Sequence, residues 1–276
     1  MCRMFSVSRN GFYSWLKRGK SPREKSNEAL TKQIRRIHQE SHQIYGSPRI
    51  TVALRQQGIR CTRKRVARLM KENGIVSKTR KKFKVTTYSS HRRPVAPNLV
   101  KRNFTASNPD KVWTSDITFI WTRQGWLYLV VFLDICSRRI VGWSMKSRMT
   151  EQLVIDAFRH AWTHRKAPKG LIVHSDRGSQ YCSRSFKELL DQQGYRQSMC
   201  GNGHCYDNAI TESFFGTLKK ELTFHYIYDT RDEARRSIFK YIEMFYNRIR
   251  IHSSLGGLSP DQYEKRGISS LTLCPL

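Results

Sequence analysis

Acids, long apolar runs and any ordered cysteine pattern are what this 276-residue chain lacks. Its longest apolar stretch, Trp126 to Ile135, holds ten residues with Asp134 among them, about half of what a membrane-crossing helix takes. The opening Met1-Cys-Arg-Met-Phe-Ser has no apolar core of a secretory leader. The seven cysteines, from Cys2 to Cys274, are odd in number and never spaced as CxxC, so they read as reduced thiols, not as a disulfide framework. Cys200, His204 and Cys205 cluster, but the second ligand pair of a closed zinc site is missing. A membrane protein and a disulfide-stapled secreted domain are therefore excluded.

The shortage of acids is uneven. Against 51 Lys and Arg stand 21 Asp and Glu, a net charge of +30, and residues 1–102 carry 27 of the cations with only 4 acids. Such a surface binds polyanions, most simply nucleic acid, because Lys and Arg displace the counterions of phosphates. A disordered solubilising arm is the bland alternative. Apolar residues recur through this region at helical spacing, which argues against it.

Ser8 is placed to cap a short helix with Phe12, Trp15 and Leu16 on one side. A longer helix over Glu24–His42 has Leu30, Ile34 and Ile37 in register. A helix over Arg49–Gln57 stops at Gly58, and another runs from a Thr62 cap to Asn73, ended by Gly74. The last two form a helix-turn-helix candidate. The second would turn Val66, Leu69 and Met70 inward and Arg63, Lys64, Arg65, Arg68 and Lys71 outward, where a recognition helix meets DNA. We expect a helical helix-turn-helix region over 1–77 and a basic linker over 78–108.

Beyond the linker, Val112–Trp121 alternates as a strand, with Trp113, Ile117, Phe119 and Trp121 on one face and Asp116 on the other. Arg123-Gln-Gly125 supplies a turn, and strands over Trp126–Asp134 and Arg139–Lys146 follow. A Thr150-capped helix carries Val154, Phe158, Ala161 and Trp162 on one side. Strand Leu171–His174, helix Arg184–Gln193, strand Tyr195–Cys200 and a helix bearing Glu212 complete the order β-β-β-α-β-α-β-α. That order is RNase H-like, an α/β fold with a mixed sheet, here behind an all-α N-terminal domain. It sets Asp116 on the first strand beside Asp176 after the fourth, with Glu212 36 positions later on a stripe with Asn208, Phe215 and Lys219.

Converging carboxylates repel unless cations lie between them, and an all-oxygen set suits Mg2+ or Mn2+. Paired ions of this kind activate a nucleophile and stabilise a leaving oxygen at phosphorus. Ser115, Ser175 and Tyr181 neighbour the acids but have no evident base. Asp134 and Asp156 are competing acids, Asp207 is assigned a helix-start cap, and His174 either tunes the site or packs. Finally, Thr230-Arg-Asp-Glu233 reads as a capping box opening a helix with Ala234, Ile238, Phe245 and Ile249 in phase. After it the stretch from Tyr246 to His252 exposes cations, Arg248 among them.

Several motifs in combination resemble the ORF B transposases of the IS-three family of insertion sequences, relatives of retroviral integrases. They are W-T-S-D-I-T around Asp116, L-D-I-C-S-R-R-I-V-G-W after Leu133, H-S-D-R-G-S-Q-Y around Asp176, C-Y-D-N-A-I-T-E-S-F-F around Glu212 and H-S-S-L-G-G-L-S-P from His252. The likeness spans about residues 5 to 265. One departure is Gly201-Asn-Gly-His-Cys-Tyr-Asp-Asn, where relatives have a shorter loop.

The resemblance implies an integrase-type catalytic core (109–224) with a helical extension (225–276). It implies a catalytic and metal-holding set of Asp116, Asp176 and Glu212 with two Mg2+ or Mn2+ ions. DNA contacts by Lys219, Arg177 and Arg248 would join those of the basic helix. The expected partners are double-stranded DNA, as terminal inverted repeats and target, further copies of the chain, and an ORF A protein or fusion; no membrane is expected. The expected location is the bacterial cytoplasm, at the nucleoid. Two rivals stay open: a DNA-binding regulator with an inactive core, and an RNase H-type or junction nuclease.

Overall fold

The computed structural model describes residues 4–78, 95–100, 106–201 and 208–272. The chain divides into two compact units, 1–78 and 79–276.

The first unit is helical: α1 (Arg9–Lys17), α2 (Pro22–Glu40), α3 (Ser47–Gln56) and α4 (Arg63–Glu72). Ser8 caps α1 by accepting from the Gly11 N–H at 3.0 Å. No α1 residue is nevertheless buried, Phe12, Trp15 and Leu16 included; Phe12 stacks on Trp15 along the helix. Helix α2 starts ahead of the expected Glu24, because Ser21 and Glu24 form a reciprocal capping box and Pro22 fills the first turn. Leu30, Ile34 and Ile37 of α2 are buried, as are Ile50 and Leu54 of α3 and Val66, Leu69 and Met70 of α4. Gly58, at φ 79°, makes the left-handed turn between α3 and α4 that a side chain would disfavour.

The second unit holds β1 (Val112–Thr122), β2 (Gly125–Asp134), β3 (Ile140–Lys146), α5 (Glu151–Arg165), β4 (Ile172–Ser175), α6 (Arg184–Gln192), β5 (Arg196–Met199), α7 (Ala209–Glu221), α8 (Arg231–Phe239) and α9 (Pro260–Thr272). The strands form one mixed sheet in the order β3-β2-β1-β4-β5. β1, β2 and β3 are antiparallel neighbours, while β4 runs parallel to both β1 and β5. Trp113, Phe132, Phe158, Phe186 and Tyr195 anchor the core between the sheet and α5 and α6. Thr114, the next residue along β1, points to the opposite face, as strand geometry demands, and its hydroxyl accepts from Thr211 of α7 at 2.7 Å. Two expectations for α5 fail in detail. Thr150 makes no side-chain cap bond, and Trp162 remains 38 % exposed.

The C-terminal part departs further from simple periodicity. After α8 the chain continues as a π-helical segment, Lys240–Tyr246, with the Asn247 and Arg250 N–H groups donating five residues back to Ile242 and Phe245. The wider turn shifts the helix phase. Ile249, expected inward, is therefore exposed, while Arg250 and His252, expected outward, are buried; Arg248 stays exposed. Arg250 grips Glu221 through two bonds of 2.9 and 2.8 Å, and the Tyr241 hydroxyl donates to the same carboxylate at 2.7 Å. Thr230 caps α8, but Glu233 reaches back to the Asp229 N–H instead of closing the expected box. Helix α9 was not expected, although Ser259, Pro260 and Gln262 carry a start signal: Ser259 and Gln262 cap one another at 3.3 and 3.0 Å. Its Glu264 pairs with Arg165, which also binds Asp110. No described helix is long and apolar enough to cross a membrane.

Gly142 of β3 marks the closest approach of α5. A Cβ there would lie 2.5 Å from the Ala157 carbonyl oxygen and from the Ala161 Cβ. Gly142→Ala is expected to destabilise the second unit by about 1–3 kcal/mol, the scale of overpacking. Denaturant unfolding with an unchanged midpoint would contradict this.

Candidate active site

Register places the first two acids. Ser115 of β1 lies opposite Ser175 of β4, so the next residues, Asp116 and Asp176, leave that pairing side by side. The Ile117 N–H donates to Asp116 Oδ1 at 2.7 Å, and the Gly178 N–H to Asp176 Oδ1 at 2.9 Å. Glu212 arrives on the first turn of α7. That helix is fastened to β1 by the Thr211–Thr114 bond and by Asn208, whose Nδ2 donates to the Ser115 carbonyl at 3.1 Å. Phe214, Phe215 and Leu218 are buried beneath it, leaving Glu212 exposed.

The acids share one electrostatic environment. Enclosure by protein raises the Asp116 carboxyl well above the usual carboxylate range, and the charges of Asp176 and Glu212 push it further. Glu212 is also raised, by burial and then by Asp176. Lys219, two turns after Glu212, faces the same cluster: burial lowers its pKa while Asp116 pulls it back up. Its ammonium lies 5.1 Å over the Phe119 ring. Asn208 Oδ1, one turn ahead of Glu212, is buried with no hydrogen-bond partner. The three carboxylates interact at the longer range of charge. Among the described residues no three His, Cys, Asp or Glu side chains stand together as a ready metal cage.

The neighbouring hydroxyls are occupied. Ser115 Oγ and the Tyr181 hydroxyl bond at 2.7 Å in the core, and Ser175 Oγ donates to the Asp176 carbonyl. Asp134, a competing acid by sequence, is fully buried and structural. It accepts from the N–H and hydroxyl of Ser137 and from the Asp110 N–H. Asp156 pairs with Lys146 at the surface. His174 packs inside, with Nδ1 2.9 Å from Ser198 Oγ and Nε2 3.5 Å from Cys200 Sγ. Arg177 donates from Nε to the Cys200 carbonyl, so part of its fork holds the loop after β5. Asp207, His204 and Cys205 lie outside the described residues.

On α4, Arg63, Lys64, Arg68 and Lys71 are exposed, and Arg68 pairs with Glu72. Arg65 behaves differently from the outward reading of the sequence. It turns to α2, binding Asn27 Oδ1 at 3.0 and 2.8 Å and Ser26 Oγ at 2.9 Å. Asn27 is four residues after Arg23 on α2, and no spacing rule within α4 reveals that cross-helix clamp. With Arg23 and Lys64 it lines a cleft of about 490 Å³ between the two helices.

A mixed sheet of this order, with acids at the ends of adjacent strands, is an RNase H-like core, the fold of nucleases and of polynucleotidyl transferases. The integrase core domain model matches residues 106–205, a second integrase core domain model matches 212–268, and the HTH-like domain model matches 25–83. In fold the chain is similar to a chain of the simian T-cell lymphotropic virus intasome solved with the PP2A regulatory subunit B56 gamma. The TM-score is 0.50 at 17 % identity, over 83 % of this chain and 73 % of that one.

Sequence relatives are nearer. Transposase InsF for insertion sequence IS3A of Escherichia coli (strain K12) is 42 % identical over 271 residues, 98 % of this chain and 94 % of that protein. The insertion element IS600 uncharacterized 31 kDa protein of Shigella sonnei is 44 % identical over 266 residues, 96 % of this chain and 98 % of that protein. The chain belongs to the IS3 family of insertion-sequence transposases, and its activity is DNA transposition by a DDE-type polynucleotidyl transferase.

Repulsion at the acid cluster has a measurable cost. Asp116 has a folded pKa above the ordinary value of 3.8, so its stability contribution is complete at low pH and is lost as pH rises through the raised value. Asp116→Asn keeps the acceptor for the Ile117 N–H and removes the charge. In chelator-treated protein it is expected to raise Tm at pH 8, with the gain shrinking towards pH 4. Equal melting curves for the two proteins at pH 8 would contradict the repulsion.

Proposed function

We propose that Asp116, Asp176 and Glu212 are the catalytic residues of this transposase and cut and join DNA at the ends of an insertion sequence. The observation that carries the reading is the register that sets Asp116 beside Asp176, with Glu212 on the helix bonded to Thr114 and Ser115 just ahead of Asp116. The donor chemistry fits a hard divalent cation: three carboxylates gather with Lys219 beside them, and among the described residues Asn208 Oδ1 is a buried oxygen without a donor. Asp116, Asp176 and Glu212 would hold Mg2+ or Mn2+, as two ions. When bound, these supply Lewis-acid activation of the attacking oxygen and stabilisation of the leaving one. Glu212, exposed on its helix, has the rotamer freedom to close the set.

In this reading hydrolysis of a phosphodiester leaves a 3′-hydroxyl, whose oxygen then displaces a bridging oxygen at a second phosphodiester. No protein–DNA bond forms, in keeping with the engaged hydroxyls of Ser115 and Tyr181. Lys219 holds a phosphate of the donor end beside Glu212, with Arg177 and Arg248 as further DNA contacts. Residues 1–77 form the DNA-binding region, in which Arg63, Lys64, Arg68 and Lys71 face the terminal repeats while Arg65 fastens α4 to α2. Residues 78–108 are the linker, 109–224 the catalytic core and 225–276 its helical extension. Double-stranded repeat and target DNA, further copies of the chain and an ORF A segment are the partners, in the bacterial cytoplasm at the nucleoid.

Glu212→Gln is expected to reduce both cleavage and joining by on the order of 10⁴-fold, the scale of losing a catalytic side chain, with DNA binding retained. Unchanged activity would leave a DNA-binding regulator. Wild-type hydrolysis with no joined product would leave a nuclease. Lys64→Ala and Lys71→Ala are each expected to lower the slope of log affinity against log salt by about 0.9, one phosphate contact; an unaltered slope would remove α4 from the DNA interface.

A further inference from the structure

We infer that Phe119, Trp121 and Trp126, on the hairpin of β1 and β2, form a stacking platform for unpaired DNA bases beside the acid cluster. The inference rests on the transposase reading above and extends it to the form of DNA held at the site. These three rings are 49 %, 55 % and 43 % exposed, an unusual outlay of large aromatics on one hairpin. They are not loose. Trp126 meets Phe119 and Trp121 edge-to-face, with centroids 5.0 and 4.9 Å apart, so the array is already ordered before any ligand arrives.

The rim of the array identifies the occupant. Lys219 lies over Phe119 at 5.1 Å, and Arg231 donates from Nε to the Trp126 carbonyl at 3.1 Å. Aromatic faces bounded by cations are the chemistry that binds single strands, rings taking the bases and cations the phosphates. In the hairpin turn Arg123 is committed to Asp229 at 3.2 Å, so Lys219 and Arg231 are the cations that the array offers to phosphates. Lys219 also feels the charge of Asp116, so the platform begins where the carboxylates end. A phosphodiester drawn towards those acids from a duplex leaves its flanking bases partly unstacked, and the rings offer replacement stacking.

The test compares the full-length protein with Trp121→Ala and Trp121→Phe on a labelled oligothymidylate and on a fully paired duplex. Trp121→Ala is expected to weaken oligothymidylate binding roughly 5- to 100-fold, the range for losing one base–aromatic contact, while duplex binding and Tm stay at the wild-type values. Trp121→Phe is expected to recover the binding. Unchanged oligothymidylate binding would overturn the inference, as would an equal loss on both DNAs. A shift in sedimentation of the DNA-free protein without an oligothymidylate effect would instead make the hairpin face a contact between copies. Because the readout is binding, an active Glu212→Gln would sink the catalytic assignment and leave this comparison intact.

Discussion

Mutual repulsion among Asp116, Asp176 and Glu212 is the constraint around which the second unit is built. Carboxylates brought together without a compensating charge push the protein apart, and here one ammonium, Lys219, faces them. The surrounding structure must therefore hold the three carriers by other means. Backbone pairing does this for two: β1 and β4 are locked in parallel register through Ser115 and Ser175. The third carrier is a helix, which no ladder can fix.

Helix α7 is instead pinned at both ends. At its start Asn208 and Thr211 bond to consecutive residues of β1, Ser115 and Thr114, immediately before Asp116. At its end Glu221 is held in a nearly buried ion pair by Arg250, with the Tyr241 hydroxyl as a third partner. A buried pair of this kind contributes little net stability by itself, yet breaking it leaves an uncompensated charge. Its effect is positional: Glu212 and Lys219 lie between the two anchors. The π-helical segment gains meaning from the same geometry, because without the added residue in its turns Arg250 would not point inward. The C-terminal extension thus braces the helix that carries the third acid, and a second integrase core model spanning 212–268 treats the two as one stretch.

Much of this was legible in the sequence, and the reasons for the failures are specific. The strands followed from alternation and apolar runs, and the placing of Asp116 beside Asp176 from their order along the chain, although the face that alternation assigns to Trp113, Phe119 and Trp121 is buried only at Trp113. The Ser8 and Thr62 caps followed from side-chain chemistry. Ile249 and Arg250 were read on the wrong faces because a 3.6-residue period cannot anticipate a π turn. Asp134 competed as a catalytic acid because a lone carboxylate at a strand end looks the same whether it binds a ligand or ties a turn; only Ser137 and Asp110 settle it. Arg65 looked like its neighbours on α4, since a bond to Asn27, 38 residues away, leaves no local trace. Helix α9 had a readable Ser259-Pro260 start that the preceding glycines obscured.

The distribution of charge reconciles a chain of net charge +30 with an acidic centre. Cations on the exposed face of α4 attract phosphates over about a Debye length, roughly 8–10 Å in physiological salt. Among the described residues, Lys219 beside the acids also lies over the Phe119 ring, and Arg177, next to Asp176, gives part of its fork to the Cys200 carbonyl. Polyanion binding and metal-type chemistry draw on different side chains of one chain: the exposed cations of α4 serve the first and the carboxylates of Asp116, Asp176 and Glu212 the second.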